Sequence, residues 1–187
     1  RRCCVWNSFG KKGYGMSLIF VDVEAFGGAP SVGRMTEFGA VVFEPFFEQK
    51  KWVTFHGKLV ESTPDPTNPA VPLPVTMKDF EYLTREEEVF EEYRDWLRTN
   101  SRGLPVFVSD NVAFDWQWIN CGFWRALGAN PPGHSGRRIS DFYAGLRNDF
   151  RATQQWKRLR TVPHTHNPVD DAKGNVTAFA RLLRGER

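Results

Sequence analysis

The chain has 187 residues, of which 41% are hydrophobic, 14% aromatic and 25% charged, and its formal net charge is +3. This content suffices for one compact domain with an aromatic-rich core. No apolar run approaches the ~20 residues of a transmembrane helix, which excludes that class of segment. Three cysteines, two of them adjacent, match neither a disulfide framework nor a zinc site, so we expect a reduced, cytoplasmic protein.

The first fifteen residues differ in composition from the rest of the chain. They contain four basic residues and no acidic one, lack hydrophobic periodicity and are followed directly by Met16. We expect residues 1–15 to be a non-native or disordered leader and residues 16–187 to form a single domain. Without the leader the chain has 21 basic and 22 acidic residues, so overall basicity is no argument for a nucleic-acid partner.

The N-terminal half predicts three strands in an antiparallel meander. Residues 17–26 and 35–43 are short, apolar and rich in β-formers, and residues 52–60 alternate between apolar and polar side chains. Residues 61–76 carry five prolines, which rule out a helix and predict an extended crossover connection.

The C-terminal half predicts helices that alternate with two further strands. Their order after the meander indicates an α/β domain with a mixed five-stranded sheet flanked by helices. The predicted elements are a helix in residues 83–100, a strand in 104–110, a helix in 114–128 that ends at Gly128, a short strand in 137–140, a helix from near Asp141, and a last helix capped by Asn167.

Basic residues are concentrated between Arg137 and Arg160, where seven of them accompany two acidic residues. With interleaved aromatic rings, such a segment suits a surface that follows a phosphate backbone and stacks bases. The alternative is a solvated basic face over core aromatic residues. The interleaved residues are Phe142, Tyr143, Phe150 and Trp156.

Two carboxylates stand two positions apart in the first predicted strand. The pleat points Asp22 and Glu24 to the same face, where burial would be costly without compensating cations. An exposed acidic face on an edge strand is the alternative. Leu18, Phe20 and Phe26 share the same face and argue for burial, which favours a functional pair.

Further carboxylates follow in the middle and near the end of the chain. Asp110 and Asp115 both follow the fourth strand, where α/β folds collect active-site groups, although turn chemistry explains each one alone. In the stretch HTHNPVDDA, Asp170 lies in the first turn of the last helix, where its negative charge interacts favourably with the helix dipole. Asp171 is one position later and points in a different direction, about 100° further round the helix axis. His166 stands just outside the cap, where an imidazole can accept a proton near neutral pH.

The combined pattern is D-x-E, then N-x3-F-D, then H-x4-D, in this order along the chain. It resembles the DEDD-type 3′–5′ exonucleases of the histidine subclass, which include ribonuclease T, oligoribonuclease and the DnaQ-like bacterial proofreading subunits. The tyrosine subclass has tyrosine four positions before the last aspartate, where this chain has Asn167. The matching residues are Asp22 and Glu24 in VDVEAFG, Asp115 in NVAFDW, and His166 and Asp171 in HNPVDDA.

The resemblance implies a ribonuclease-H-like fold and a two-metal mechanism. Asp22, Glu24, Asp115 and Asp171 would hold two Mg²⁺ ions, with Mn²⁺ as a substitute, and His166 would act as the general base. The product would be a nucleoside 5′-monophosphate released from the free 3′ end of a single strand. Similarity to small stand-alone ribonucleases favours RNA over DNA, and because many relatives are homodimers, the resemblance also implies a homodimer.

The chain departs from the family after the first motif. Where relatives tend to have Thr-Gly, this chain has Ala25-Phe26-Gly27. We expect Ala25, Phe26 and Phe114 to contact the substrate, with Phe26 stacking on a base.

Three other interpretations compete. The H-x-H of His164 and His166 is similar to the metal-binding motif of barrel-type amidohydrolases. That fold needs eight strand–helix repeats, typically ~250 residues, and the sequence shows no such repeats. We therefore expect His164 to be a loop residue or to support the metal ligands without binding the metal. A non-catalytic nucleic-acid-binding module on the same fold is a second alternative. A structural or protein-interaction domain, the third, leaves the carboxylates and His166 without a role.

Overall fold

The computed structural model of the chain describes residues 16–45, 51–60 and 85–186. The expected leader (residues 1–15) and the proline-rich connection (residues 61–76) lie outside these ranges and stay predictions. The described elements are the strands β1 (Leu18–Phe26), β2 (Arg34–Phe43), β3 (Thr54–Lys58), β4 (Val106–Ser109) and β5 (Gly136–Arg138), the helices α1 (Glu86–Asn100), α2 (Val112–Leu127), α3 (Ile139–Arg147) and α4 (Pro168–Leu183), and a 3-10 helix (Gln155–Leu159).

The five described strands form one mixed sheet in the order β3-β2-β1-β4-β5. β1 pairs antiparallel with β2, and β2 with β3, whereas β1–β4 and β4–β5 are parallel. The predicted sheet is confirmed, and the carboxyl ends of β1, β4 and β5 meet at one edge. Such an edge is where α/β folds gather functional side chains.

Each face of the sheet carries its own apolar core. Helices α1 and α2 cover one face, where Val21 and Val23 of β1 are buried beside Trp118. Helices α3 and α4 and the 3-10 helix cover the other, where Phe20 is fully buried beside Val176. Because side chains alternate along a strand, Asp22 and Glu24 point to the α4 side, together with Phe20.

The helix boundaries follow the sequence signals closely. Helix α2 ends at Gly128, whose left-handed φ of 62° supplies the expected cap, and it begins at Val112, two residues before the prediction. At the start of α4, the Asn167 side chain accepts the backbone N–H groups of Val169 and Asp170, as predicted. None of the helices in the described ranges is long and apolar enough to cross a membrane.

The burial of the aromatic residues differs from one expectation and decides between two alternatives left open by the sequence. Phe26 is 44% exposed rather than buried; it is the last residue of β1 and lies beyond the irregularity in the pairing with β2 between Glu24 and Ala25. Tyr143 and Trp156 are buried in the α4-side core, so neither ring is available to stack on a base. Of the other two rings in that basic segment, Phe142 packs partly buried against the same core and Phe150 is exposed, so the alternative of a basic face over core aromatic residues holds for three of the four rings.

Candidate active site

Three carboxylates from two elements converge at the edge formed by the carboxyl end of β1. Asp22 and Glu24 come from β1, and Asp171 comes from the first turn of α4. One carboxylate oxygen of each lies within 4.8 Å of the others, a spacing at which a single cation can contact all three. Carboxylate oxygens are the ligands that hard divalent cations prefer.

A glycine allows helix α4 to approach the sheet at this point. Gly39 of β2 stands opposite Asp22 in the register. A Cβ at this position would overlap the backbone of Pro168 and Val169, so only glycine permits the contact. Gly39 was not predicted as a site residue, although a lone glycine inside a strand pattern signals a close backbone approach.

Asp171 is almost completely buried, and its own loop holds it in place. The backbone N–H of Thr165 donates to Asp171 Oδ1 at 3.0 Å, and His164 Nδ1 lies 2.8 Å from Asp171 Oδ2. The neighbouring Asp170 instead pairs with Lys173 at 2.9 Å, in agreement with its predicted role in the helix. His164 therefore supports a candidate ligand, as the sequence analysis allowed.

Asp115 adds a fourth carboxylate from the first turn of α2. It is buried, and its Oδ2 has no hydrogen-bond partner in the described part of the chain. Burial raises the pKa of Asp115 to about 8, although the Ser109 hydroxyl opposes this rise and the Asp110 charge adds to it. Asp115 lies outside the 4.8 Å group, yet it is the charge with the largest effect on the pKa of Asp22.

The crowding of these carboxylates changes their acidity. Burial raises the pKa of Asp22 to about 9, with further contributions from Asp115, Asp110, Asp171 and Glu24 in that order. Burial also raises the pKa of Glu24. Without cations the cluster therefore retains protons that ordinary carboxyl groups release, which is the behaviour of a site built to hold positive charge.

His166 lies at the exposed rim of this cluster. Among nearby charges, it has the largest effect on Glu24 and lowers the pKa of that carboxyl. Its ring centroid is 4.4 Å from that of His164, and its backbone is left-handed, with a φ of 59°. Non-glycine residues adopt this conformation rarely, and such positions cluster at functional sites.

Of the two aspartates left open by the sequence, Asp110 is engaged elsewhere. Its Oδ2 lies 2.7 Å from Lys157 Nζ and 3.3 Å from Arg160 Nη2. These ion pairs give Asp110 its own counter-charges, whereas Asp115 has an unpartnered buried oxygen. The pairing of Asp110 with residues 47 and 50 positions later was not predicted from the sequence.

The three residues expected to contact substrate occupy different environments. Phe26 is exposed at the end of β1, directly after the two carboxylates. Ala25 and Phe114 are partly buried and pack against the core on the α1–α2 side, where the Phe114 ring meets Trp118 edge-on at 6.1 Å. Their substrate contacts stay predictions.

Comparison with known proteins adds relatives of similar sequence and fold. No protein-family model matches the chain. The 3′–5′ DNA exonuclease Cap18 of Escherichia coli is 28% identical over 177 residues, which span 89% of this chain and 90% of the relative.

Solved structures share the fold at lower sequence identity. The nuclease domain of 3′hExo, a DEDDh family member bound to rAMP, superposes with a TM-score of 0.62 at 15% identity, covering 92% of each chain. An E. coli ExoI–ssDNA complex gives a TM-score of 0.54 at 17% identity, over 91% of this chain and 40% of that one. The resemblance to 3′–5′ exonucleases drawn from the sequence motifs is therefore confirmed: the chain is similar in sequence to one 3′–5′ exonuclease and shares the fold of a nuclease of the DEDDh family.

Proposed function

We propose that the protein is a metal-dependent 3′–5′ exonuclease that releases nucleoside 5′-monophosphates from single-stranded nucleic acid with a free 3′ end. The observation that carries this proposal is the convergence of Asp22, Glu24 and Asp171, with Asp115 beside them and His166 at the rim. The similarity to a 3′–5′ exonuclease over nearly the whole chain supports the same activity.

The donor set fits two divalent cations. All four carboxylates offer hard oxygen ligands, as Mg²⁺ requires and Mn²⁺ accepts, and the unpartnered Asp115 Oδ2 is free to coordinate. Cations would also relieve the burial and repulsion that raise the pKa values of Asp22 and Asp115. Bound there, they supply Lewis-acid stabilisation of the charge that develops around the scissile phosphate.

His166 is the proposed general base. Its exposed imidazole beside Glu24 can accept a proton from the attacking water as the new oxygen–phosphorus bond forms. The bond from phosphorus to the 3′ oxygen of the preceding nucleotide breaks, and that oxygen leaves with the shortened strand and takes up a proton from solvent. Because His164 Nδ1 lies 2.8 Å from Oδ2 of the buried Asp171, His164 is assigned to support that carboxylate instead. His166, with its left-handed backbone, is the last loop residue before Asn167, the cap of helix α4.

The terminal nucleotide is proposed to bind along the end of β1. Phe26 offers an exposed ring for stacking on a base, and such stacking contributes about 1–3 kcal/mol per base. Ala25 and Phe114 would form the apolar wall next to it, since both pack against the core at this end of the strand.

The sugar preference has two opposing supports. The resemblance to small ribonucleases favours RNA, whereas the E. coli relative is a DNA exonuclease. Among the fold neighbours, one is bound to rAMP and another to single-stranded DNA. RNA therefore stays the prediction with DNA as its competitor, and the homodimer and the cytoplasmic location stay predictions as well.

One gel assay tests the proposal and both sugars together. A 5′-labelled RNA and a DNA of equal sequence would be incubated with Mg²⁺, Mn²⁺ or EDTA, using Asp22→Ala as the control. We expect a metal-dependent ladder that shortens from the 3′ end and is absent with Asp22→Ala, because the substitution removes a central ligand. If neither the RNA nor the DNA is degraded with any metal, the exonuclease proposal is contradicted and the non-catalytic binding module is favoured. The affinity of the protein for each strand would then be measured.

A further inference from the structure

Three basic side chains converge on Asp110 at the border of the carboxylate site. Lys157 Nζ lies 2.7 Å and Arg160 Nη2 3.3 Å from Asp110 Oδ2, and Arg138 Nε donates to the Asp110 carbonyl oxygen at 3.1 Å. In the parallel pairing of β1 with β4, Phe20 lies opposite Val108, so Asp110 follows β4 at the level of Asp22 on the neighbouring strand. The charge of Asp110 accordingly raises the pKa of both Asp22 and Asp115. This basic cluster (Asp110, Arg138, Lys157 and Arg160) therefore adjoins the residues proposed to hold the cations.

Arg160 forms the fixed base of the basic cluster. Its side chain is only 12% exposed, donates to Asn175 Oδ1 at 2.6 Å and lies over the buried Trp156 ring, 5.3 Å from the centroid. Gly174 makes room for its methylene groups, because a Cβ there would come within 3.3 Å of Arg160 Cδ. A guanidinium held in this way acts as a permanent counter-charge for Asp110.

Lys157 is the accessible end of the basic cluster. Its side chain is 39% exposed, and its ammonium contacts one carboxylate oxygen in the described part of the chain. An ammonium has three N–H donors, so two remain for acceptors from solution. Asp110 thus orients the charge of Lys157 without using its full capacity.

Charge explains why the site needs such a group. Four carboxylates repel a polyanionic strand, and cations bound among them serve the scissile bond rather than the rest of the backbone. A lysine at the border of the site can bind a neighbouring phosphate and release a counterion. The contacts around Asp110 hold this lysine in position before substrate arrives, which lowers the entropy cost of binding.

We propose that Lys157 binds a backbone phosphate of the substrate strand and that Asp110 is its positioning residue. The inference rests on the proposed function, because it assumes that a nucleic-acid strand enters this site. It adds a phosphate-binding position outside the DEDD motifs and gives Asp110 a role distinct from metal binding.

The test is the salt dependence of strand binding. Affinity for a fluorescent 12-nucleotide strand would be measured with Mg²⁺ across a salt series, using Asp171→Asn to prevent hydrolysis. We expect Lys157→Gln in this parent to reduce the slope of log Kd against log salt by about 0.7 and to weaken binding about fourfold at ~0.15 M salt, the values for one lost phosphate contact to a single strand. Lys157→Arg should restore both.

A matched control comes from the opposite end of the sheet. Lys51 is exposed and precedes β3, whose first residue pairs with Val41 near the end of β2. Glu24 pairs instead with Glu37 near the start of β2, so Lys51 lies away from the carboxylate site. Lys51→Gln should leave slope and affinity unchanged. In the active chain, Asp110→Asn should raise KM severalfold with little change in kcat, because a displaced Lys157 weakens binding and not the chemical step.

The outcomes separate this inference from the proposed function. If Lys157→Gln keeps the parent's slope and affinity and only lowers Tm, the ion pair is purely structural and the inference is overturned. Absence of strand binding by the Asp171→Asn parent overturns it as well. If the chain without substitutions degrades no strand but Lys157→Gln still reduces the salt slope, the phosphate site is supported while the exonuclease proposal fails.

Discussion

At the scale of single residues, His166 gives the sharpest prediction. Its backbone is left-handed, a conformation that asparagine also tolerates, so His166→Asn removes the imidazole without new backbone strain. We expect kcat at neutral pH to fall about 10²–10⁴-fold, the usual contribution of a general base. Stabilisation by Mg²⁺ should persist, because the four carboxylates remain. A pH–rate profile measures the fall in kcat, and thermal unfolding with and without Mg²⁺ measures the stabilisation by the metal.

The neighbouring histidine provides the control for this assignment. His164 lies against Asp171, so His164→Asn should weaken metal binding more than it alters the shape of the pH–rate profile. If His164→Asn removes the pH-dependent limb and His166→Asn keeps it, the roles of the two histidines must be exchanged.

At the scale of elements, the contact between β2 and α4 determines whether the site forms. Gly39→Ala places a methyl group against the backbone of Pro168 and Val169, so the start of α4 must move away from the sheet. We expect a loss of about 1–3 kcal/mol in the free energy of unfolding, as for overpacked cores. Asp171 moves with the helix, so the stabilisation by Mg²⁺, measured from unfolding curves, should shrink as well.

A second glycine gives the matched control for this substitution. Gly145 lies in α3, and a Cβ there meets no atom within 4 Å. Gly145→Ala should leave Mg²⁺ binding intact and stabilise the helix by up to about 1 kcal/mol. Equal effects of Ala at both positions would show that the Gly39 contact does not position Asp171.

Hydrophobic periodicity and capping signals are local, and they predicted the five strands, the end of α2 at Gly128 and the Asn167 cap. The carboxylates were predictable because their order along the chain matches a known family. The rest depends on contacts between distant segments. The register shift beside Glu24 follows from an additional residue in β2, Thr36, whose hydroxyl donates to the Glu24 carbonyl oxygen. No spacing rule links Asp110 to Lys157 either.

At the scale of the whole molecule, the carboxylate cluster couples stability to pH. The folded-state pKa values of Asp22 and Asp115, about 9 and about 8, lie above the ordinary value of 3.8, and that of Glu24 is also raised. The folded protein therefore holds protons that the unfolded chain has released. The resulting stabilisation is complete below about pH 4 and is lost as pH rises through 8 and 9.

The metal-free protein should consequently become less stable between pH 5 and pH 9, by at most ~1.4 kcal/mol per pH unit for each carboxyl that stays protonated. Mg²⁺ should oppose this loss most strongly at high pH, because it binds the deprotonated carboxylates of the folded state. Urea unfolding at pH 5, 7 and 9, with EDTA or Mg²⁺, measures the two dependences. Asp22→Asn should flatten the metal-free slope, since the amide neither titrates nor repels its neighbours. A metal-free stability that is constant or rises with pH would contradict the coupling, and an undiminished Mg²⁺ response in Asp22→Asn would remove Asp22 from the ligand set.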